Sequence, residues 1–350
     1  MLGGGSWGTA IANLISQNTA KHAEYFQPNV HLYLRNAELC QEIQYRKYNQ
    51  IYLPGIKLES NLVSKSGSLV ETLSTSDVII FAVPNEFILD VCEQILEIRD
   101  CLPKDVIAIS LIKGLSFDSF GNFERISQVI ERLLAIPTGV LSGANVAKEV
   151  AQRQYCEATL CVPENENLNV IDEYLIYFEK LFETEYFKIN HSKDQATVEF
   201  CGALKNVIAC GAGLIDGMDF GINTKSAAIG AGTREMIKFI ELFHPNFQLE
   251  TLFQSCGFPD IIASSFGGRN RKIGDAFARS RKDKIIPSLK DLESNLLKGQ
   301  KLQGTSTARC VYQVLSKARL IEQFPFFTAV HKIFNENHDP QTIFAAIRQC

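Results

Sequence analysis

The sequence contains no CxxC pair and no HxxxH spacing, although it has ten cysteines and six histidines. The cysteines are scattered from Cys40 to Cys350, and the histidines form no ligand-like cluster. Neither a zinc site nor a disulfide framework is expected, and the pattern fits reduced thiols in a cytoplasmic compartment. No apolar run approaches the roughly 18 residues that a membrane helix needs. The longest, Val78 to Val83 and Val207 to Ile215, read as buried core elements, so no membrane insertion is expected. The formal net charge is only -4, which gives no field to attract nucleic acid or an acidic membrane surface. No repeat or low-complexity segment stands out. A glycine-rich motif follows Met1 almost at once, so no secretory leader is expected ahead of the fold.

What is present is a chain of 350 residues, 46% apolar and 21% charged. That composition is ordinary for a soluble globular protein, and the length exceeds what one hydrophobic core usually organises, so two domains are expected. Gly3, Gly5 and Gly8 form a GxGxxG motif within Gly3-Gly4-Gly5-Ser6-Trp7-Gly8, ahead of a helical stretch from Thr9 to about Gln17. In a dinucleotide fold one such glycine permits the tight turn, one lets the backbone approach a pyrophosphate, and one lets helix pack on strand. The helix N-terminus adds unpaired N–H groups and a partial positive charge. Val30–Leu34 alternates like a second strand. Val78–Val83, Val106–Leu111 and Gly139–Leu141 read as further buried strands. Phe87, Lys113 and Asn145 fall just beyond the ends of these strands, where ligands sit in open α/β sheets. Two features fit badly. Only Met1 and Leu2 precede the glycine motif, so the central first strand is missing or nearly so. The second strand ends in Arg35 rather than the Asp or Glu that binds an NAD ribose. An arginine there stacks on adenine, tolerates a 2′-phosphate, or is only a surface charge.

The second half is different. A helix-like stretch starting near Lys193 is rich in small residues and contains Gly202-Ala-Leu-Lys205-Asn206. Lys205, flanked by Leu204 and Val207, either snorkels to solvent or works as a desolvated acid/base. Asp260 and Ser264 stand four apart, ahead of Gly267-Gly-Arg269-Asn270-Arg271, a pattern suited to gripping a phosphate with backbone N–H groups and a guanidinium. Gly299-Gln-Lys301-Leu-Gln303-Gly304 is a polar loop bracketed by glycines, either a lid or an ordinary connection.

Taken together, Gly3–Gly8, Ser110-Leu-Ile-Lys-Gly114, Gly143-Ala-Asn145, Gly202–Asn206 with its continuation to Gly217, Gly267–Arg271 and Gly299–Gly304 resemble the NAD-dependent glycerol-3-phosphate dehydrogenases, especially the cytosolic eukaryotic type. The resemblance runs from Gly3 to about Phe344. It implies a Rossmann-like domain over residues 1–188, an all-helical substrate-binding and catalytic domain over 189–350, and an active site between them. It implies NAD as cofactor, glycerol 3-phosphate and dihydroxyacetone phosphate as substrates, and a homodimer. Lys205 is similar to the family's general acid/base, and Lys113 to the lysine that polarises the reacting oxygen. Asn206 and Asp260 resemble the residues that orient Lys205 and substrate. Asn145, Ser264, Arg269 and Asn270 fall at substrate-binding positions. Gly3, Gly4, Gly5, Ser6, Trp7, Gly8, Arg35, Phe87, Lys113, Ala147, Arg269, Lys301 and Gln303 fall at cofactor-binding ones. The chain departs from the family at Ala196, where relatives carry Asp, at Gly230 for Arg, at Ser264 for Thr, and at Arg35 for an aromatic residue. A non-catalytic NAD(H)-binding relative that reports redox state to a partner is the alternative, and intact Lys113, Lys205, Asp260 and Arg269 favour the enzyme. A reductase acting on a hydroxy acid is a third reading, and the phosphate cradle at Arg269-Asn270 argues against it.

Overall fold

A computed structural model describes residues 1–118, 120–163, 168–283, 285, 288–297 and 302–350. The chain divides into two compact units, Met1–Ile112 with Ile126–Gln195, and Lys113–Arg125 with Ala196–Cys350. The division at 195/196 lies beyond the 188/189 boundary read from the sequence, and the Lys113–Arg125 excursion had no signal in composition or pattern.

The first unit is built on a twisted sheet with helices on both faces. Five strands follow the order Phe187–His191, Cys156–Cys161, Thr138–Ser142, Ile107–Ser110, Val78–Phe81. All pair in parallel except Cys156–Cys161 with Thr138–Ser142. Side chains alternate across a strand, so Ile80 joins one buried cluster with Ile11, Leu14 and Phe187, whereas Ile79 and Phe81 join another with Ile88, Cys92 and Val129. Burial on both faces explains why these strands read as unbroken apolar runs.

Where the first strand is expected, Met1, Leu2 and Gly3 join two pieces of sheet. A separate parallel pair, Val30–Tyr33 with Leu62–Lys65, lies beyond Val78–Phe81. Leu2 bridges the two pieces, pairing in parallel with both Tyr33 and Phe81. On one side the Leu2 N–H donates to Ile80 O at 2.8 Å and Leu2 O accepts from Ala82 N–H at 2.8 Å. On the other, Met1 O accepts from Tyr33 N–H at 2.9 Å and Gly3 N–H donates to Tyr33 O at 3.2 Å. The Met1 amine donates to His31 O at 2.8 Å, and burial pushes its pKa down to about 5. Met1, Leu2 and Gly3 together thus supply main-chain bonds on both edges, which is what a central strand provides.

In the second unit the Gln195–Gly217 helix is buried along essentially its whole length and is surrounded by the helices Ile222–Phe243, Phe258–Gly267, Arg269–Lys282, Gly304–Lys317 and Pro325–Asn335. It is long and apolar enough to cross a membrane, yet all of its most apolar window is buried within the protein. Its small residues explain how neighbours approach. A Cβ on Gly213 would strike the Arg271 carbonyl, and one on Gly274 would strike that of Cys210. The two helices therefore touch backbone to backbone, which brings the start of Arg269–Lys282 towards the helix that carries Lys205.

Leu2 is 1% exposed, so Leu2→Ala removes a core side chain from the residue that joins the sheet. Urea unfolding is expected to show a loss of about 2–5 kcal/mol. An unchanged midpoint would mean that the buried Leu2 side chain carries no stability.

Candidate active site

In the first unit the glycine motif forms the turn that the sequence implied. The helix runs Ser6–Lys21, starting earlier than read from the sequence, with Gly5 as its N-cap residue and no acidic side chain in its first turn. Gly3 has φ +109°, and a Cβ there would lie 2.7 Å from Ala82 O, while a Cβ on Gly8 would strike Gly3 O. These two close the turn against the neighbouring strand. Gly5 is different, because a Cβ there would meet nothing within 4 Å. Open space over helix N–H groups is what a pyrophosphate requires. The turn is locked from behind by Asn49, which is fully buried and donates to Gly4 O at 3.0 Å and Thr9 Oγ1 at 2.9 Å. The sequence reading missed Asn49; an isolated asparagine forty-odd residues after a glycine turn carries no signal of its own.

The other expected cofactor residues divide. Arg35 is exposed and holds its guanidinium 4.5 Å from the centre of the Phe87 ring, so the ends of two strands are joined by a cation–π contact. Trp7 is half-buried and packs against the apolar cluster, with its ring 6.5 Å from that of Phe187. Ser6 Oγ donates to Tyr52 O at 2.6 Å. Asn145 donates through Nδ2 to Glu157 O at 2.9 Å, and its Oδ1 is buried without a hydrogen-bond partner. A buried acceptor in that state costs free energy unless a ligand donor reaches it. Ala147 starts the short helix Ala147–Ala151. Gln303 immediately precedes the helix Gly304–Lys317. Lys301 lies outside the described residues. The open cradle at Gly5, the stacked Arg35–Phe87 pair and the orphaned Asn145 oxygen all fit a bound dinucleotide.

The second unit gathers the charged residues. Asp260 and Ser264 are one turn apart on the Phe258–Gly267 helix and so share a face. Asp260 Oδ2 accepts from Lys113 Nζ at 2.6 Å, and Oδ1 accepts from Lys205 Nζ at 3.1 Å. Lys205 also donates to Ser264 Oγ at 2.5 Å, and Ser264 lies 3.3 Å from Asp260 Oδ1. Lys205 is only 7% exposed and Asp260 3%, so the snorkelling alternative for Lys205 is overturned: its ammonium points inward to a carboxylate. Burial lowers the Lys205 pKa to about 8, with Lys113 and Arg269 adding repulsion and Asp260 opposing. Burial works to raise the Asp260 carboxyl, but the two ammonium groups outweigh it and hold it below the usual range. One carboxylate therefore balances two cations, and one of those cations sits close to neutrality.

Arg269 begins the Arg269–Lys282 helix, with Gly268 as N-cap residue, and is exposed. A guanidinium beside unpaired helix N–H groups is an anion site. The side chains of Asn270 and Asn206 are bonded to one another and to nearby backbone. Asn270 donates to Asn206 Oδ1 at 2.7 Å and accepts from Gly304 N–H at 2.9 Å, while Asn206 donates to Gly202 O at 3.1 Å. These side chains tie three helices together. Asn206 therefore acts on helix placement, and Asn270 has only its backbone to offer an anion.

The family models for the N-terminus and C-terminus of NAD-dependent glycerol-3-phosphate dehydrogenase match residues 1–168 and 194–345. The chain belongs to this family. It is 39% identical to the cytoplasmic NAD(+) glycerol-3-phosphate dehydrogenase of Drosophila virilis over 99% of this chain and 95% of that one. Among solved structures it is similar to the glycerol-3-phosphate dehydrogenase of Plasmodium falciparum, with TM-score 0.88 and 35% identity over 99% of this chain and 93% of that one. It is also similar to DsGPDH of Dunaliella salina, with TM-score 0.93 and 34% identity over 99% of this chain. It spans only 59% of that longer protein. Lys113 lies within the N-terminal match, and Lys205 and Asp260 lie within the C-terminal one.

Proposed function

We propose that the chain interconverts glycerol 3-phosphate and dihydroxyacetone phosphate, using NAD(H), in the cytoplasm. The observation that carries this reading is the buried carboxylate holding two lysines, one with its pKa near 8. A non-catalytic NAD(H)-binding relative has no use for a lysine kept close to neutrality in a dry site, whereas an acid/base catalyst works best with a pKa near the operating pH.

Bound NAD supplies the hydride acceptor for oxidation at C2. Gly3, Gly4, Gly5, Ser6 and Gly8 hold its pyrophosphate through the turn and the helix N-terminus. Arg35, Phe87 and Ala147 would hold the rest of the cofactor, and Gln303 falls at a cofactor-binding position by the family resemblance. In the alcohol-oxidising direction, neutral Lys205 takes the C2 hydroxyl proton. Lys113 stabilises the negative charge that develops on that oxygen. Asp260 keeps both amines in place and compensates whichever of them is charged, and Ser264 fixes the Lys205 rotamer. Arg269 and the Asn270 backbone N–H bind the substrate phosphate. Because that group is remote from the reacting carbon, its binding energy serves positioning. Asn145 Oδ1 accepts a hydrogen bond from a ligand donor.

We also read the chain as a homodimer. The Phe258–Gly267 helix turns Ile262 and Phe266 to solvent one turn apart, and exposed Phe253 contacts Phe258 at its start. Exposed apolar side chains grouped in this way favour a covered surface. Sedimentation equilibrium is expected to give twice the chain mass, and a monomer at micromolar concentration would refute the assignment.

The activity is tested by NADH oxidation with dihydroxyacetone phosphate and with unphosphorylated dihydroxyacetone. Turnover is expected with the phosphate ester and is expected to fall by at least about a hundredfold without it. The kcat/KM for glycerol 3-phosphate oxidation is expected to rise with pH through a limb near 8, as Lys205 loses its proton, and ketone reduction to fall through the same range. Equal use of the unphosphorylated ketone would refute the phosphate site, and a flat profile from pH 7 to 9 would refute the base.

A further inference from the structure

Lys113 is far from Lys205 and Asp260 in sequence, and what brings it to them is a short hairpin. The strands Leu115–Phe117 and Phe123–Arg125 pair antiparallel, with Leu115 opposite Arg125, so the base of the hairpin lies directly beyond Lys113. The hairpin is fastened at three levels. Near its tip, Lys317 donates to Gly121 O at 3.1 Å and contacts Asn122 Oδ1 at 3.3 Å. In its middle, Phe123 sits edge-on against Phe243 at 4.8 Å and near Phe200 at 6.1 Å. At its base, Arg125 Nη1 donates to Glu199 Oε2 at 3.0 Å. Glu199 lies on the Gln195–Gly217 helix, less than two turns before Lys205, and its side chain is only 2% exposed while that of Arg125 is 20%.

We infer that the Arg125–Glu199 ion pair is a positioning device for Lys113, clamping the hairpin base to the helix that carries Lys205 so that both lysines meet the same carboxylate. Lys317 holds the tip and the aromatic contacts hold the middle, while at the base Leu115 is buried in the same apolar cluster as Leu204 and Phe200 of the Lys205 helix. The ion pair adds a directional tie from Arg125, opposite Leu115, to the Lys205 helix, and a desolvated arginine–carboxylate bond can set a position where apolar contact alone permits sliding. A solely stabilising role is a poor account of the pair, because a buried ion pair contributes little over a well-packed apolar pair. The inference rests on the roles proposed above for Lys113 and Lys205.

The test is the kinetics and pH profile of Arg125→Met and Arg125→Lys in the full chain, each also in a Lys113→Ala background. Misplacing a catalytic group by about 1 Å costs up to a hundredfold, so Arg125→Met is expected to lower kcat/KM for glycerol 3-phosphate by roughly 10- to 100-fold. The groups facing the Lys205 amine are Asp260, Ser264, Lys113 and, further off, Arg269. Withdrawing Lys113 removes repulsion and leaves Asp260 more fully to Lys205, so the alkaline limb is expected to move to higher pH. Arg125→Lys is expected to recover most of the loss, and Arg125→Met to add nothing once Lys113 is absent. NADH binding followed by fluorescence reports that the variants are folded; if Arg125→Met is not, Glu199→Gln takes its place with the same expected pattern. An unmoved limb with wild-type kcat/KM, or an equal further loss in the Lys113→Ala background, overturns the inference. Wild-type kinetics for Lys113→Ala alone would sink the role of Lys113 and this inference with it, whereas impaired Lys113→Ala beside normal Arg125→Met would sink only the inference.

Discussion

A single buried carboxylate, Asp260, holds two ammonium groups that would otherwise repel one another in a dry site. Much of the second unit can be understood as the means of making that arrangement affordable. Lys205 reaches it from a helix with no exposed side, Lys113 from the base of a hairpin, and Ser264 from the same helix face as Asp260 itself. With both lysines protonated the cluster carries net positive charge, and it includes a lysine whose proton is easily removed. Asymmetric burial sets the division of labour: Lys205 is enclosed and shifted, while the Lys113 side chain keeps 19% of its surface in solvent.

Close helix contact makes the geometry possible. Gly213 and Gly274 let two helices meet backbone to backbone, and the Asn206–Asn270–Gly304 hydrogen bonds fix a third against them. The start of the Arg269–Lys282 helix, with its anion-binding N–H groups, is thereby placed by packing rather than by a flexible loop. In the first unit the equivalent service comes from Asn49, which braces the glycine turn, and from Leu2, which closes the gap in the sheet immediately before it.

The chemistry-bearing motifs were legible in the sequence because each is local. The glycine turn, the Lys205 helix and the glycine pair before Arg269 are contiguous stretches whose residue types state their purpose. Their partners were less so. Periodicity could not decide whether Lys205 points inward, since a lysine among Leu204 and Val207 satisfies either geometry, and only Asp260, brought from another helix, resolves it. Trp7 sits inside the motif yet packs on Phe187, because its side chain leaves the helix on the core side. Asn206 lies beside Lys205 in sequence but on another face of the helix, which is why it binds Asn270 instead. The Lys113–Arg125 hairpin was invisible because short strands with one apolar face look like loop, and the ion pair at its base joins residues 74 apart. The bridging of two pieces of sheet by Leu2 depends on neighbours that no local pattern reveals.

The account turns on Asp260 raising the affinity of Lys205 for its proton against the effects of burial and of Lys113. The most direct measurement is the pH dependence of kcat/KM for glycerol 3-phosphate oxidation by Asp260→Asn, a near-isosteric change that removes only the charge. With the carboxylate gone, burial and the two neighbouring cations act on Lys205 unopposed, so the limb near 8 should move to lower pH while kcat falls. A limb that stays in place, or moves to higher pH, would mean that Asp260 does not govern Lys205.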